Sequence, residues 1–224
     1  MRNLPGRGRI ALCFLSLALG AQACAAEAPN QTTDKSTPHA TSTERLNAEV
    51  PEGWIQVVNN VVGDLAISEY VPPDTVDVWA QKVSYEALSA GDLPLPDPLE
   101  YTEGLAEQQA SRCERFHDNV IFAGYENGYQ TVVHMLQCGM SKLTGKPVVT
   151  VLKVIRGNDS LYTITRIWRL AGDAQSAPSR LPGLPEDEPP ADLEMPEGEL
   201  EAWSQVLSRV QLCDTRLAAH RCDV

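Results

Sequence analysis

The chain lacks the patterns on which most reaction chemistry rests. Its 224 residues contain no G-x-S-x-G, no Walker spacing and no Rossmann G-x-G-x-x-G. C-x-x-C, H-x-H and H-E-x-x-H are also absent, so no metal or redox cofactor is implied. Basic side chains are scarce: Lys and Arg number 18 against 30 Asp and Glu, a formal charge of −12. Such a surface repels phosphate backbones and argues against a nucleic-acid partner. Composition is otherwise ordinary, with 43% hydrophobic and 21% charged residues, which excludes collagen-like, coiled-coil and wholly disordered classes. The length suits one or two domains.

What is present first is an address. Arg2, Arg7 and Arg9 precede the apolar run Ile10–Leu19, which small residues follow. A helix needs about 20 residues to span a bilayer core, so this run is too short. Residues 1–23 therefore read as a secretory signal peptide. Ala21-Gln22-Ala23 suits ordinary signal peptidase, whereas Cys24 after Ala23 resembles the lipidated cysteine of a bacterial lipoprotein. The lipoprotein reading is preferred over a soluble periplasmic one, although Ala21 stands where Leu is favoured. Ala25 after the cysteine points to the outer membrane. Loss of the leader would take the formal charge from −12 to −15. Any membrane association is then expected through acyl chains rather than a basic patch.

Six cysteines occur, at 13, 24, 113, 138, 213 and 222. Cys13 leaves with the leader and Cys24 takes the lipid or sits on a loose N-terminus. The other four form an even set in an oxidising compartment, with three possible connectivities. Cys113–Cys138 and Cys213–Cys222 are favoured, since each pair is close in sequence. An unbroken helix would hold Cys213 and Cys222 about 13 Å apart, too far for a disulfide. Their pairing requires the helix to stop soon after Cys213.

Residues 24–50 are polar and read as a flexible tether. The rest, 51–224, reads as a single α+β domain, an antiparallel β-sheet with flanking helices. Residues 54–62 and 65–71 form a hairpin around Gly63-Asp64. Asp74 or Thr75 caps a short helix reaching Trp79. Lys82–Leu88 is a strand, and the prolines at 94, 96 and 98 mark a loop. A helix over 98–116 carries Leu99, Ala106, Ala110 and Cys113 on one face. Asn127-Gly128 joins the strands 119–125 and 129–138. A second hairpin joins 148–155 to 161–168, and its strands are apolar on both faces, which calls for cover on both sides. In it Val149, Val151 and Ile155 share a face with Lys153. Six prolines and seven acids make 171–197 an exposed loop, with docking to a basic partner as its minority reading. A last helix starts near Glu199 with the stripe Leu200, Trp203, Val206, Leu207, Val210 and Cys213.

Among candidate catalysts, His134 lies mid-strand and His117 ends a helix. His39 and His220 fall in the tether and the C-terminal segment. Glu69 and Glu126 read as rim and turn residues, and Trp54, Trp79, Trp168 and Trp203 mostly as core anchors, with a ligand groove as the alternative place for one or two of them.

The order of elements, with Glu69-Tyr-Val-Pro-Pro-Asp-Thr-Val-Asp-Val-Trp79 and Gly157-Asn-Asp-Ser-Leu-Tyr162, resembles small exported bacterial domains of the PsbP/Mog1-like type, the DcrB-like lipoproteins in particular. The resemblance covers about residues 51–170 and the terminal helix. It implies binding or assembly at a membrane surface and no shared catalytic residues. The acidic insertion at 171–197 and the four domain cysteines depart from it. The expectation is a non-enzymatic cell-envelope protein, in the periplasm or anchored to the outer membrane, that binds a protein or small ligand. The alternative is an envelope hydrolase using His134 with nearby acids. A third reading, an assembly chaperone or toxin-neutralising partner, fits an acidic surface that steers a basic protein.

Overall fold

The structure is a computed structural model that describes residues 43–76, 79–91, 94–170 and 198–217. The expected signal peptide at 1–23, Cys24, Cys222, His39, His220 and the expected acidic loop at 171–197 lie outside the described residues.

Two antiparallel sheets and two helices make up the described fold. In chain order the elements are β1 (Glu44–Asn47), β2 (Ile55–Val62), β3 (Leu65–Val71), a 3-10 turn (Pro73–Thr75), β4 (Gln81–Ser89), α1 (Pro98–Ser111), β5 (Phe116–Glu126), β6 (Tyr129–Cys138), β7 (Val148–Arg156), β8 (Ser160–Arg169), α2 (Glu199–Arg209) and β9 (Gln211–Asp214). Seven strands form the main sheet in the order β2-β3-β4-β8-β7-β6-β5, and β1 pairs with β9 in a second. All neighbouring pairs are antiparallel. This is the expected α+β architecture of an antiparallel sheet with flanking helices.

The Asn127-Gly128 hairpin forms because both turn residues take positive φ, 46° and 82°. The Asn127 side chain then donates to the Leu212 carbonyl at 2.8 Å, so the same turn holds β9. Helix α1 starts where Asp97 accepts from the Leu99 amide at 2.8 Å and Pro98 fills the first helical position.

The central strands are apolar on both faces because each face carries its own core. On one side Ala106 of α1 and Leu95 meet Leu136, Leu152, Val154 and Leu161. On the other, Trp203 and Leu207 of α2 meet Val149, Val151, Ile164 and Trp168. Burying each such side chain contributes roughly 1.5–3 kcal/mol.

Four expectations are corrected. Residues 44–47, assigned to the tether, form β1 because Glu44 through Asn47 find partners in Asp214 through Gln211. The short helix at 74–79 is only a 3-10 turn over Pro73–Thr75. Helix α1 stops at Ser111, so Cys113 lies beyond it in a bridge to Ser141, and His117 sits in β5 opposite Gln137. Helix α2 stops at Arg209: Val210 turns extended at φ −70°, ψ 120°. The apolar stripe therefore continues as strand, with Leu212 and Cys213 buried in β9.

Candidate functional site

A disulfide joins Cys113 to Cys138 with the Cα atoms 5.6 Å apart. It ties Cys113, two residues past the end of α1, to the last residue of β6. Cys213 is also held in a disulfide. Cys222, expected as its partner, lies outside the described residues.

The chemistry-bearing side chains fall into three clusters. The first is His134 with Asp118. His134 is fully buried in β6, and its Nε2 lies 2.8 Å from the Asp118 carboxylate of β5. Its Nδ1 has no partner among the described residues. Asp118 is the member of the pair that meets water. A general base needs a nucleophile within hydrogen-bond reach. Among the described residues, Asp118 is the side chain that hydrogen-bonds a ring nitrogen of His134.

The second cluster lies on the α1 side of the sheet, across β3, β4 and β8. Lys82 Nζ donates to Glu69 at 2.6 Å, and Ser84 donates to Glu86 at 3.1 Å. Register sets Glu69 opposite Ser84 and Glu86 opposite Thr163. Desolvation raises the Glu86 carboxyl above the usual range, while Ser84 and Lys82 oppose the shift. Burial likewise raises the Tyr101 hydroxyl. At the rim, the Trp79 ring meets two cations, Arg169, 3.4 Å from its centre, and Lys82, 5.0 Å away. Trp79 thus carries two cations and is not a core anchor, unlike the fully buried Trp168 and Trp203.

The third cluster is built on two cations of the α2 face. Arg166 lies within 5.4 Å of the ring centres of Trp54, Trp168 and Trp203. It donates to Glu199 at 2.9 Å and to Gln81 at 2.7 Å. Glu199 in the first turn of α2 favours the positive helix end as well. Lys153, 1% exposed, donates to the carbonyls of Leu207 and Val210 at 2.7 and 2.9 Å and pairs with Glu126 at 2.5 Å. A cation there satisfies the last carbonyls of α2. Glu126 is therefore an ion-pair partner as well as the residue before the turn.

At the other end of the fold, Glu44 accepts from the amides of Asn158 and Asp159 at 2.6 and 3.1 Å. Asp214 accepts from Thr43 and Arg216, which hold its carboxyl well below the usual range, the Arg216 hydrogen bond foremost. These contacts pin β1 and β9 to the sheet.

Sequence reasoning singled out His134, Glu69, Glu126 and the tryptophans. It passed over Glu44, Glu86 and Arg166, and noted Lys153 only as the charge among valines. That break in an apolar face was the one available signal for the α2 cap. No group of three or more His, Cys, Asp or Glu among the described residues could hold a metal ion. No helix among them is long and apolar enough to cross a membrane.

Among the described residues the sheet leaves apolar side chains exposed on both of its edge strands, β5 and β2. Val120, Ile121, Phe122 and Tyr125 are 39, 49, 37 and 75% exposed. The other edge, β2, exposes Ile55, Val57, Val61 and Val62.

No protein-family model matches the chain, and no curated protein matches it. Among solved structures it is similar to a mutant of the protein Mog1, at 16% identity and a TM-score of 0.41, covering 73% of this chain and 86% of that one. It is also similar to the Saccharomyces cerevisiae Ran-binding protein Mog1p, at 15% identity and a TM-score of 0.36, covering 56% and 72%. These likenesses concern the fold alone.

Proposed function

We propose that the chain is an exported cell-envelope protein, periplasmic or lipid-anchored through Cys24, that binds a protein or small ligand and carries out no turnover. The supporting observation is a division of roles among side chains. Lys82, Glu86, His134, Lys153 and Arg166 are each tied to internal partners, whereas the apolar residues of β5 face solvent. Exposed apolar patches of this kind mark interaction surfaces. The Cys113–Cys138 disulfide supports an oxidising compartment, and so does the signal-like leader.

The test has two arms. Acyl labelling of cells with and without Cys24→Ser, followed by fractionation, reports anchor and location. Labelling that persists in the variant removes the anchor from the reading, and a cytosolic product removes export. For turnover, wild type and His134→Gln are assayed on ester, glycan and peptide substrates. Activity that vanishes in a still-folded variant favours the hydrolase alternative. The expected result is no turnover by either.

A further inference from the structure

We propose that β5 is a docking edge for an extended, cationic segment of another protein, which joins the main sheet as an eighth strand. This deepens the binding reading above and rests on it.

Strand β5 pairs only with β6 among the described strands, so its other side offers backbone donors and acceptors to an incoming strand. Edge strands are usually guarded by Lys, Pro, short length or bulges. Strand β5 runs 11 residues, Phe116–Glu126, with neither Lys nor Pro. Its guards are the carboxylates of Asp118 and Glu126 toward its two ends and, between them, a register shift between Val120 and Phe122, which leaves Ile121 as the extra residue. The apolar side chains exposed around that point give an added strand something to bury.

Charge selects the occupant. Helix α1 packs over β5 and β6. Its Glu100, Glu103 and Glu107 are exposed, and their spacing of three and four places them on one helix face. None of the three takes part in a salt bridge among the described residues. The acidic end of α1 lies toward Tyr125: Gln130, opposite Tyr125 in the sheet, donates to Asp97 at the helix start at 2.5 Å. At the other end Arg112 and Arg115 are offset by the exposed Glu114 and Asp118. The acidic excess therefore lies on the Tyr125 side of the edge, and the partner's cationic side chains belong there. A second copy of this chain, with its formal charge of −12, would bring like charges together. The β2 edge is apolar too, but its sequence Ile-Gln-Val-Val-Asn-Asn-Val-Val carries no charge. It serves as the internal control.

The probe is a fluorescein-labelled decapeptide of alternating Lys and Val, with a Glu/Val decapeptide beside it. Both are titrated into the purified chain at low salt, and amide hydrogen exchange locates the contact. The expected result is saturable binding of the Lys/Val peptide alone, with slower exchange across 116–126. Phe122→Lys should weaken it about tenfold or more, and Val61→Lys should leave it unchanged. Glu103→Lys, on an exposed helix face, gives the same readout should Phe122→Lys unfold. Absence of Lys/Val binding overturns the inference, as does equal binding of the Glu/Val peptide. Binding that protects residues outside 116–126 and ignores both variants also overturns it, yet leaves the binding-protein reading standing. Turnover lost in His134→Gln sinks that reading without bearing on the edge.

Discussion

The Lys153 ammonium reaches out of the sheet to the Leu207 carbonyl, 2.7 Å away, and so closes the C-terminal end of α2 from below. Two carbonyls and one carboxylate share its charge. Lys153→Met keeps the bulk but leaves the carbonyls of Leu207 and Val210 without that donor. It should cost about 2–3 kcal/mol in urea unfolding. Glu126→Gln should cost less, about 1 kcal/mol or below, because Glu126 is 37% exposed and Lys153 keeps its two carbonyl acceptors. The reverse order would mean that the ion pair, not the helix end, is the stabilising contact.

The Cys113–Cys138 disulfide closes a loop with a sequence separation of 25. Loop-closure entropy puts its contribution at roughly 3 kcal/mol. Cys113→Ala with Cys138→Ala should lower the thermal midpoint by several degrees, and non-reducing peptide mapping of the wild type should recover this pair.

Two carboxyls give opposite pH slopes. Asp214 is held below its ordinary range, so its contribution is full above about pH 4 and is lost as pH falls through the lowered value. Asp214→Asn should therefore destabilise at neutral pH, and the deficit should shrink in strong acid. Glu86 is raised by desolvation, so the wild type loses stability as pH climbs above about 4. Glu86→Gln should raise the melting midpoint at pH 7 and leave it unchanged near pH 3. Melts of both variants across that range check the signs.

Gly157 is needed for what lies against it. A Cβ there would collide with the Glu44 carboxylate and approach the Ser160 carbonyl to 2.9 Å. Gly157→Ala should push Glu44 off the amides of Asn158 and Asp159 and cost about 1–3 kcal/mol. Faster amide exchange confined to residues 44–47 and 211–214 would identify the displaced contact.

Local chemistry carried much of the fold into the sequence. Asn127-Gly128 announced its hairpin because few residue pairs accept two positive φ values. Apolar residues on both faces of 148–155 announced a sheet covered on both sides, and the two cores supply that cover. Long-range pairing was not legible in the same way. Nothing in Glu44-Arg-Leu-Asn47 distinguishes it from polar tether until β9 lies alongside. Likewise Val210 and Cys213 fit a helical stripe as well as a strand, and only packing on the sheet decides. At the candidate site, His134 was visible as a histidine among apolar neighbours, and its burial removes it from solvent. Arg166 gave no local sign, because its three tryptophans come from distant parts of the chain.

Strand β1 meets a partner far along the chain: Thr43 and Asp214, which bond across that small sheet, are 171 positions apart. Such a closure comes late, since the whole intervening chain must first be in place. Until then a nascent chain holds 44–47 loose while the large sheet assembles behind it. A truncation before residue 211 should thus leave the seven-stranded sheet formed and β1 permanently without a mate.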